Sequence, residues 1–131
     1  MTHGEHSGYL SSIFQKTKRK KVVKKLENIL NKYTLPYDGF VVTGVSGITM
    51  GSIMANLLNK ELVVVRKTTQ NCHADYKVEN AKPKGKYIFL DDCISTGKTF
   101  DRVFKAMKKV KGVIIGHVLY DDYTPKFESD L

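Results

Sequence analysis

The chain has 131 residues, and its 22 Lys and Arg outnumber its 13 Asp and Glu, which gives a formal net charge of +9. This length suits one folded domain, and a hydrophobic content of 41% excludes a wholly disordered chain. No apolar run approaches the roughly 20 residues that span a bilayer, and residues 1–12 lack the apolar segment of a signal peptide. We therefore expect a cytoplasmic protein that makes no membrane contact. The positive net charge predicts an anionic partner.

Residues 1–15 are expected to be flexible, and residues 16–33 to form a basic amphipathic helix. One face of this helix is apolar, with Val22, Val23, Leu26, Ile29, Leu30 and Tyr33. Residues 16–32 contain one acidic residue, Glu27. The basic residues in the same range are Lys16, Lys18, Arg19, Lys20, Lys21, Lys24, Lys25 and Lys32. Such a run is either a solvated face or a nucleic-acid contact, and both interpretations stay open here.

Residues 40–120 are expected to form the core, and residues 121–131 a tail. Continuous apolar runs alternate with helical patterns, and such runs are typical of parallel strands buried on both faces. The predicted strands are residues 40–43, 62–65, 87–90 and 113–120. The sequence therefore predicts one α/β domain over 1–131, with a doubly wound, mainly parallel sheet flanked by helices. In such sheets ligands bind at the carboxyl ends of the strands.

The third predicted strand leads into the most informative segment. Asp91 and Asp92 follow the strand directly, and the turn Ser95–Thr99 (Ser-Thr-Gly-Lys-Thr) enters the next helix. Small hydroxyl residues and glycine at a helix N-terminus expose N–H groups to a phosphate, while carboxylates accept hydrogen bonds from sugar hydroxyls or hold a divalent cation. A nucleotide P-loop is excluded because its first glycine would have to stand at position 92, where this sequence has Asp92. An ordinary capped strand–helix junction is the plain alternative.

This segment resembles the ribose-phosphate motif of the type I phosphoribosyltransferases, which has four apolar residues, two acids, two further residues and a hydroxyl–glycine turn. The resemblance covers the core and implies an enzyme that uses 5-phosphoribosyl 1-diphosphate (PRPP) with Mg²⁺. It implies that Asp91 and Asp92 are catalytic and place the metal. It also implies a ribose 5-phosphate site formed by Asp91, Asp92, Cys93, Ile94, Ser95, Thr96, Gly97, Lys98 and Thr99.

Three further segments match the family in order. The turn Gly44–Gly47 contains a match to its diphosphate loop, which often holds a cis non-proline peptide, and Gly47 would let the backbone approach the diphosphate. Arg66 and Lys67, at the end of the second predicted strand, would bind diphosphate. The polar residues 68–86 resemble its mobile catalytic loop, with His73 and Lys67 as further catalytic candidates. The residues implied in the diphosphate loop are Val45, Ser46 and Gly47.

The acceptor base is less well determined. In this family the base lies under a hood outside the core, and only the basic helix and the tail are available here, so a minimal hood is expected. Ser95 stands where members acting on 6-oxopurines usually carry aspartate, which favours an orotate- or adenine-type member. Tyr120 and Tyr123 are candidates to stack on the base. Burial of Tyr120 in the core and solvation of Tyr123 are equally open.

The resemblance thus implies a phosphoribosyltransferase of nucleotide salvage that transfers ribose 5-phosphate from PRPP to a nitrogenous base and releases diphosphate. A homodimer is expected because dimers are common in the family. One alternative is a non-catalytic, PRPP-sensing regulator that binds nucleic acid through the basic helix. Another is a pure nucleic-acid-binding domain, for which the sequence holds no recognised motif.

Overall fold

A computed structural model of the chain describes residues 15–70, 73–91, 98–119 and 126–127. Helices and strands alternate through most of this part of the chain, which confirms the predicted α/β class. The helices are α1 (Lys16–Asn31), α2 (Gly44–Leu58) and α3 (Lys98–Lys109). The strands are β1 (Gly39–Val42), β2 (Glu61–Gln70), β3 (His73–Glu79), β4 (Lys86–Asp91), β5 (Val113–Leu119) and β6 (Lys126–Phe127).

The six strands form one mainly parallel sheet in the order β3-β2-β1-β4-β5-β6. The four inner strands are parallel, and β3 and β6 pair antiparallel at the two edges. Side chains of each inner strand alternate between two buried clusters. Phe40 and Val42 enter the cluster with α1 and α2, whereas Val41 enters the cluster with α3. Burial on both faces explains the continuous apolar runs, and the predicted doubly wound sheet is confirmed.

Helix α1 packs onto the core with one face and exposes the other. Leu26 and Leu30 are buried in the same cluster as Met50 and Met54 of α2. The opposite face is exposed and carries Lys18, Lys20, Lys21, Lys24 and Lys32. The predicted amphipathic helix is therefore present, and most of its cations are exposed to solvent. Among the helices that the structure describes, each is too short or too polar to cross a membrane.

The prediction of a polar loop over residues 68–86 is wrong, because these residues contain the end of β2 and all of β3. The catalytic role that the resemblance implies for this segment stays a prediction. Strand β2 does not close at Arg66 and Lys67 but runs on to Gln70, and β3 pairs with it antiparallel over seven residue pairs. Tyr76 and Val78 of β3 pack against the cluster beside α3. An edge strand that exposes one face to solvent needs few apolar residues, and this explains why a polar segment can form a β-strand here.

The predicted turn over Gly44–Gly47 is also wrong, because these residues form the first turn of α2. Gly44 has a φ of +75°, which is a backbone conformation that favours glycine, and this residue lets the chain leave β1 and enter the helix directly. No cis peptide bond occurs among the described residues, so the cis peptide expected by resemblance is absent from this connection.

The carboxylate of Asp38 joins the starts of two neighbouring strands, β1 and β4. Its Oδ2 accepts a hydrogen bond from the backbone N–H of Lys86 at 2.7 Å, and its Oδ1 lies 3.3 Å from Nζ of Lys82. The hydrogen bond from Lys86 is the main cause that lowers the pKa of Asp38, and the charge of Lys82 adds to it. The lowered pKa means that the ionised carboxylate stabilises the folded state.

This contribution predicts a pH-dependent effect of Asp38→Asn on stability. A carboxyl group with a lowered folded-state pKa stabilises the fold above its unfolded pKa of about 3.9, and the contribution disappears as the pH falls through the folded-state pKa. We expect the variant to have a smaller free energy of unfolding than the wild type at pH 7. The difference should shrink steadily below pH 4. Urea denaturation across this range measures it, and a difference independent of pH would contradict the assignment.

Candidate functional site

The candidate site lies where the parallel strands end together at one edge of the sheet. Asp91 is the last residue of β4, and Thr43 directly follows β1. The two strands are parallel neighbours, and the hydroxyl of Thr43 donates a hydrogen bond to the backbone oxygen of Val65 in β2 at 2.6 Å. The start of α2, the Arg66 region of β2 and Asp91 therefore share the edge at which the sequence places the ligand.

The first turn of α2 presents a helix N-terminus at this edge. Thr43 is the N-cap residue, but its side chain bonds to β2 and makes no capping hydrogen bond within α2. Val45 is 67% exposed, whereas Ser46 and Gly47 are buried. A Cβ added at Gly47 would lie 3.3 Å from Cβ of Val42, so packing of the helix on β1 already accounts for glycine there. Its predicted role at the diphosphate stays a prediction.

Arg66 is half exposed and is held by the hairpin. Its Nε donates to Oε1 of Glu79 at 3.2 Å, across from β2 to β3. Nζ of Lys77 lies 3.7 Å from the same carboxylate oxygen. The cation predicted to bind diphosphate thus has a fixed partner in the hairpin, and the sequence alone gave no sign of Glu79 because it lies 13 residues away on another strand.

Asp91 has a histidine neighbour that sequence reasoning also missed. Its Oδ2 lies 3.7 Å from Nε2 of His117, and both side chains are about 15% exposed. His117 stands on β5, two residues before the end of that strand. The signal in the sequence is a single polar residue inside the apolar run Val113–Leu119, close to the predicted ligand edge.

Several predicted residues lie outside the described residues, and their roles stay predictions. Lys98 begins α3, and Thr99 follows it half-buried, so the predicted motif does lead into a helix. The side chains of Lys67, His73 and Lys98 are not described, although Lys67 and His73 lie on the hairpin strands. Those wholly outside the described ranges are Asp92, Cys93, Ile94, Ser95, Thr96, Gly97, Tyr120 and Tyr123.

The predicted Mg²⁺ site can be compared with the described side chains at this edge. Within the described ranges, no three His, Cys, Asp or Glu side chains cluster as a metal site. Asp91 provides one carboxylate at the edge. Mg²⁺ typically takes one or two carboxylates and completes its shell with water and substrate phosphates rather than with a protein cage. The single carboxylate of Asp91 is within the number that Mg²⁺ takes from a protein, and the Mg²⁺ site stays a prediction.

Comparisons with known proteins identify relatives of this arrangement. The chain is 26% identical over 102 residues to an orotate phosphoribosyltransferase from Pyrobaculum islandicum, covering 77% of this chain and 52% of that protein. It is 27% identical over 112 residues to an adenine phosphoribosyltransferase from Mycoplasma capricolum, covering 74% and 66%. The chain is thus similar in sequence to two named phosphoribosyltransferases. It spans between about half and two thirds of the length of these two relatives. No protein-family model matches it.

A third relative has a different kind of name. It is the transcriptional regulator GfcR from Picrophilus torridus, 29% identical over 83 residues and covering 63% of this chain and 43% of that protein. Solved structures share the fold. An adenine phosphoribosyltransferase from Saccharomyces cerevisiae matches 82% of this chain and 71% of its own with a TM-score of 0.69 at 16% identity. UMP synthase from Leishmania donovani matches 82% and 23% with a TM-score of 0.66 at 17% identity.

Proposed function

We propose that this chain is a phosphoribosyltransferase that transfers ribose 5-phosphate from PRPP to a nitrogenous base and releases diphosphate. The observation that carries the proposal is the position of Asp91, which ends β4 at the ligand edge and begins the acid–acid and hydroxyl–glycine motif. The cation Arg66 and the N-terminus of α2 share that edge. Adenine or orotate is the proposed acceptor, because two of the relatives are named adenine phosphoribosyltransferase and orotate phosphoribosyltransferase.

The proposed reaction is displacement of diphosphate at the anomeric carbon by a ring nitrogen of the base. Its transition state is expected to be oxocarbenium-like, so catalysis depends on orientation and charge rather than on a covalent intermediate. Asp91 and Asp92 hold the ribose hydroxyls, and the turn Ser95–Thr99 holds the 5-phosphate at the start of α3. Arg66 and Lys67 neutralise the negative charge that develops on the leaving diphosphate.

Two other groups complete the proposed site. Mg²⁺, when bound beside Asp91 and Asp92, supplies positive charge to the diphosphate. The β2–β3 hairpin carries Lys67 and His73, and we propose that it covers the bound ligand and excludes water, because water would otherwise capture the ribosyl cation. Val45, Ser46 and Gly47 offer backbone donors of α2 to the diphosphate. Tyr120 and Tyr123 are the proposed stacking partners of the base. We further propose a cytoplasmic homodimer.

The experiment that tests this function measures diphosphate release from PRPP in the presence of Mg²⁺ and single bases. The wild type should release diphosphate with adenine or orotate. Asp92→Asn should abolish this release and leave the thermal unfolding midpoint unchanged, because asparagine keeps the size of the side chain and removes its charge. Equal release by the variant and the wild type would contradict the proposed role of the acid pair.

A regulator that binds nucleic acid through α1 is a second candidate function, and the charge of that helix favours it. Lys20 and Lys24 are exposed one helical turn apart, and like charges at this spacing destabilise a helix. Lys16 and Arg19 also stand in the first turn, where the helix dipole disfavours cations. An anionic polymer would relieve both costs, and one relative is named a transcriptional regulator.

Salt-dependent binding tests this second candidate. A variant with Lys20, Lys21 and Lys24 changed to glutamine should bind fluorescent duplex DNA or RNA more weakly than the wild type. The slope of log affinity against log salt should fall by about one for each lysine that contacts a phosphate. A triple variant at Lys105, Lys108 and Lys109, on the exposed face of α3, is the charge-matched control. Equal losses in both variants would contradict specific use of α1.

A further inference from the structure

The imidazole ring of His117 packs against two phenylalanine rings. It faces Phe89 across the β4–β5 pairing, and their ring centroids lie 4.9 Å apart with the planes 12° from parallel. The ring of Phe100 from α3 stacks on it at 4.8 Å and 26°. The centroids of Phe89 and Phe100 are themselves 6.1 Å apart, so the two rings do not lie on opposite faces of the imidazole, and the three rings form one aromatic cluster. An apolar side chain would satisfy this environment fully.

The polar edge of the same ring has an unmet requirement. Nε2 of His117 is buried and makes no hydrogen bond within the described part of the chain. Buried polar atoms are nearly always paired, and leaving one unpaired destabilises the fold. The carboxylate oxygen Oδ2 of Asp91 lies 3.7 Å from this nitrogen. This separation exceeds a hydrogen bond, but hydrogen bonds at active sites are often long before the ligand binds and shorten in the complex.

We propose that His117 is a positioning residue for Asp91. In the ligand-bound protein its Nε2–H donates a hydrogen bond to Oδ2 of Asp91, and this contact turns the other carboxylate oxygen toward the ribose hydroxyls of PRPP. The proposal rests on the proposed function, because it assigns PRPP to this edge. It explains why a histidine occupies a place beside Phe89 and Phe100 that otherwise suits an apolar ring.

Two substitutions at His117 separate a positioning role from a packing role. His117→Phe keeps an aromatic ring beside Phe89 and Phe100 and removes the donor. We expect its thermal midpoint to be equal to or above that of the wild type, since a buried unpaired nitrogen is lost. Its affinity for PRPP with Mg²⁺, measured by calorimetry, should fall about 10- to 100-fold, as for other residues that orient a ligand-binding carboxylate. His117→Gln restores an amide donor and should recover most of the affinity.

Ile114→Val is the control for a general loss of packing, because Ile114 is buried on the same strand as His117 and in the cluster that contains Phe89. It should lower the thermal midpoint and leave PRPP affinity unchanged. If the wild type binds PRPP and His117→Phe binds it equally well, the positioning role is overturned while the proposed function stands. If the wild type itself binds no PRPP, the proposed function is overturned and this inference falls with it.

Discussion

Asp91→Asn is expected to lower kcat/KM for PRPP by about 100- to 1000-fold, the usual cost of removing one preorganised electrostatic contact from an active site. The change removes a charge at the end of β4 and keeps the shape of the side chain. Under the proposed function it therefore weakens the hold on the ribose hydroxyls and on Mg²⁺ without opening a cavity. Because asparagine keeps the size and shape of aspartate, the thermal midpoint should change little. Steady-state assays of diphosphate release and a thermal melt measure both quantities.

Asp101→Asn is the matched control for this charge change. Asp101 is exposed in the first turn of α3, near the same edge, but it has no assigned contact with the ligand. Its variant should keep the kcat/KM of the wild type within about threefold, since a surface substitution outside the site costs little. A similar loss in both variants would indicate a general effect of net charge and would contradict the specific role of Asp91.

Leu26→Ala is expected to cost about 2–5 kcal/mol of unfolding free energy, against a total of about 5–15 kcal/mol for a domain. Leu26 is fully buried and joins α1 to the cluster that contains Met50, Met54 and Phe40. Truncation removes apolar contacts and leaves a cavity between α1 and α2. Urea denaturation followed by circular dichroism measures the loss, which should appear in a single cooperative transition.

Leu57→Ala provides the matched control, because Leu57 is also a helical leucine but is 47% exposed on α2. Its cost should be clearly smaller, within about 1 kcal/mol. Equal costs at the two positions would contradict the packing of α1 onto the sheet. A separate early transition in the Leu26 variant would mean that α1 unfolds independently of the core.

The inner part of the sheet was predictable from the sequence because burial on both faces leaves a direct trace. Apolar side chains on both faces of β1 and β4 give continuous apolar runs, and these runs predicted parallel strands and the ligand edge. The acid pair after Tyr87–Leu90 also predicted where the third strand of the sequence ends, since Asp91 is the last residue of β4. In these segments the burial of the strand in the fold can be read directly from the run of apolar residues.

Other features depend on contacts between distant residues, and the sequence did not reveal them. Strand β3 is polar because it is the outermost strand of the sheet and pairs only with β2 among the described strands. Its polar sequence therefore led to the prediction of a loop. The start of α2 at Gly44 depends on a backbone conformation with positive φ, which composition does not specify. The approach of His117 to Asp91 arises from the register of β4 with β5, which is not encoded in either strand alone.

Detection of the nucleotide product tests the central claim most directly. The protein, PRPP and Mg²⁺ are incubated with adenine or with orotate, and the mixture is analysed for the corresponding nucleoside monophosphate by mass spectrometry. The proposed function predicts that one of the two bases is converted to its nucleotide, with an equal amount of diphosphate, and that Asp92→Asn forms none. Binding of PRPP by the wild type with no nucleotide from either base or from a wider panel of nucleobases would contradict the proposed transferase.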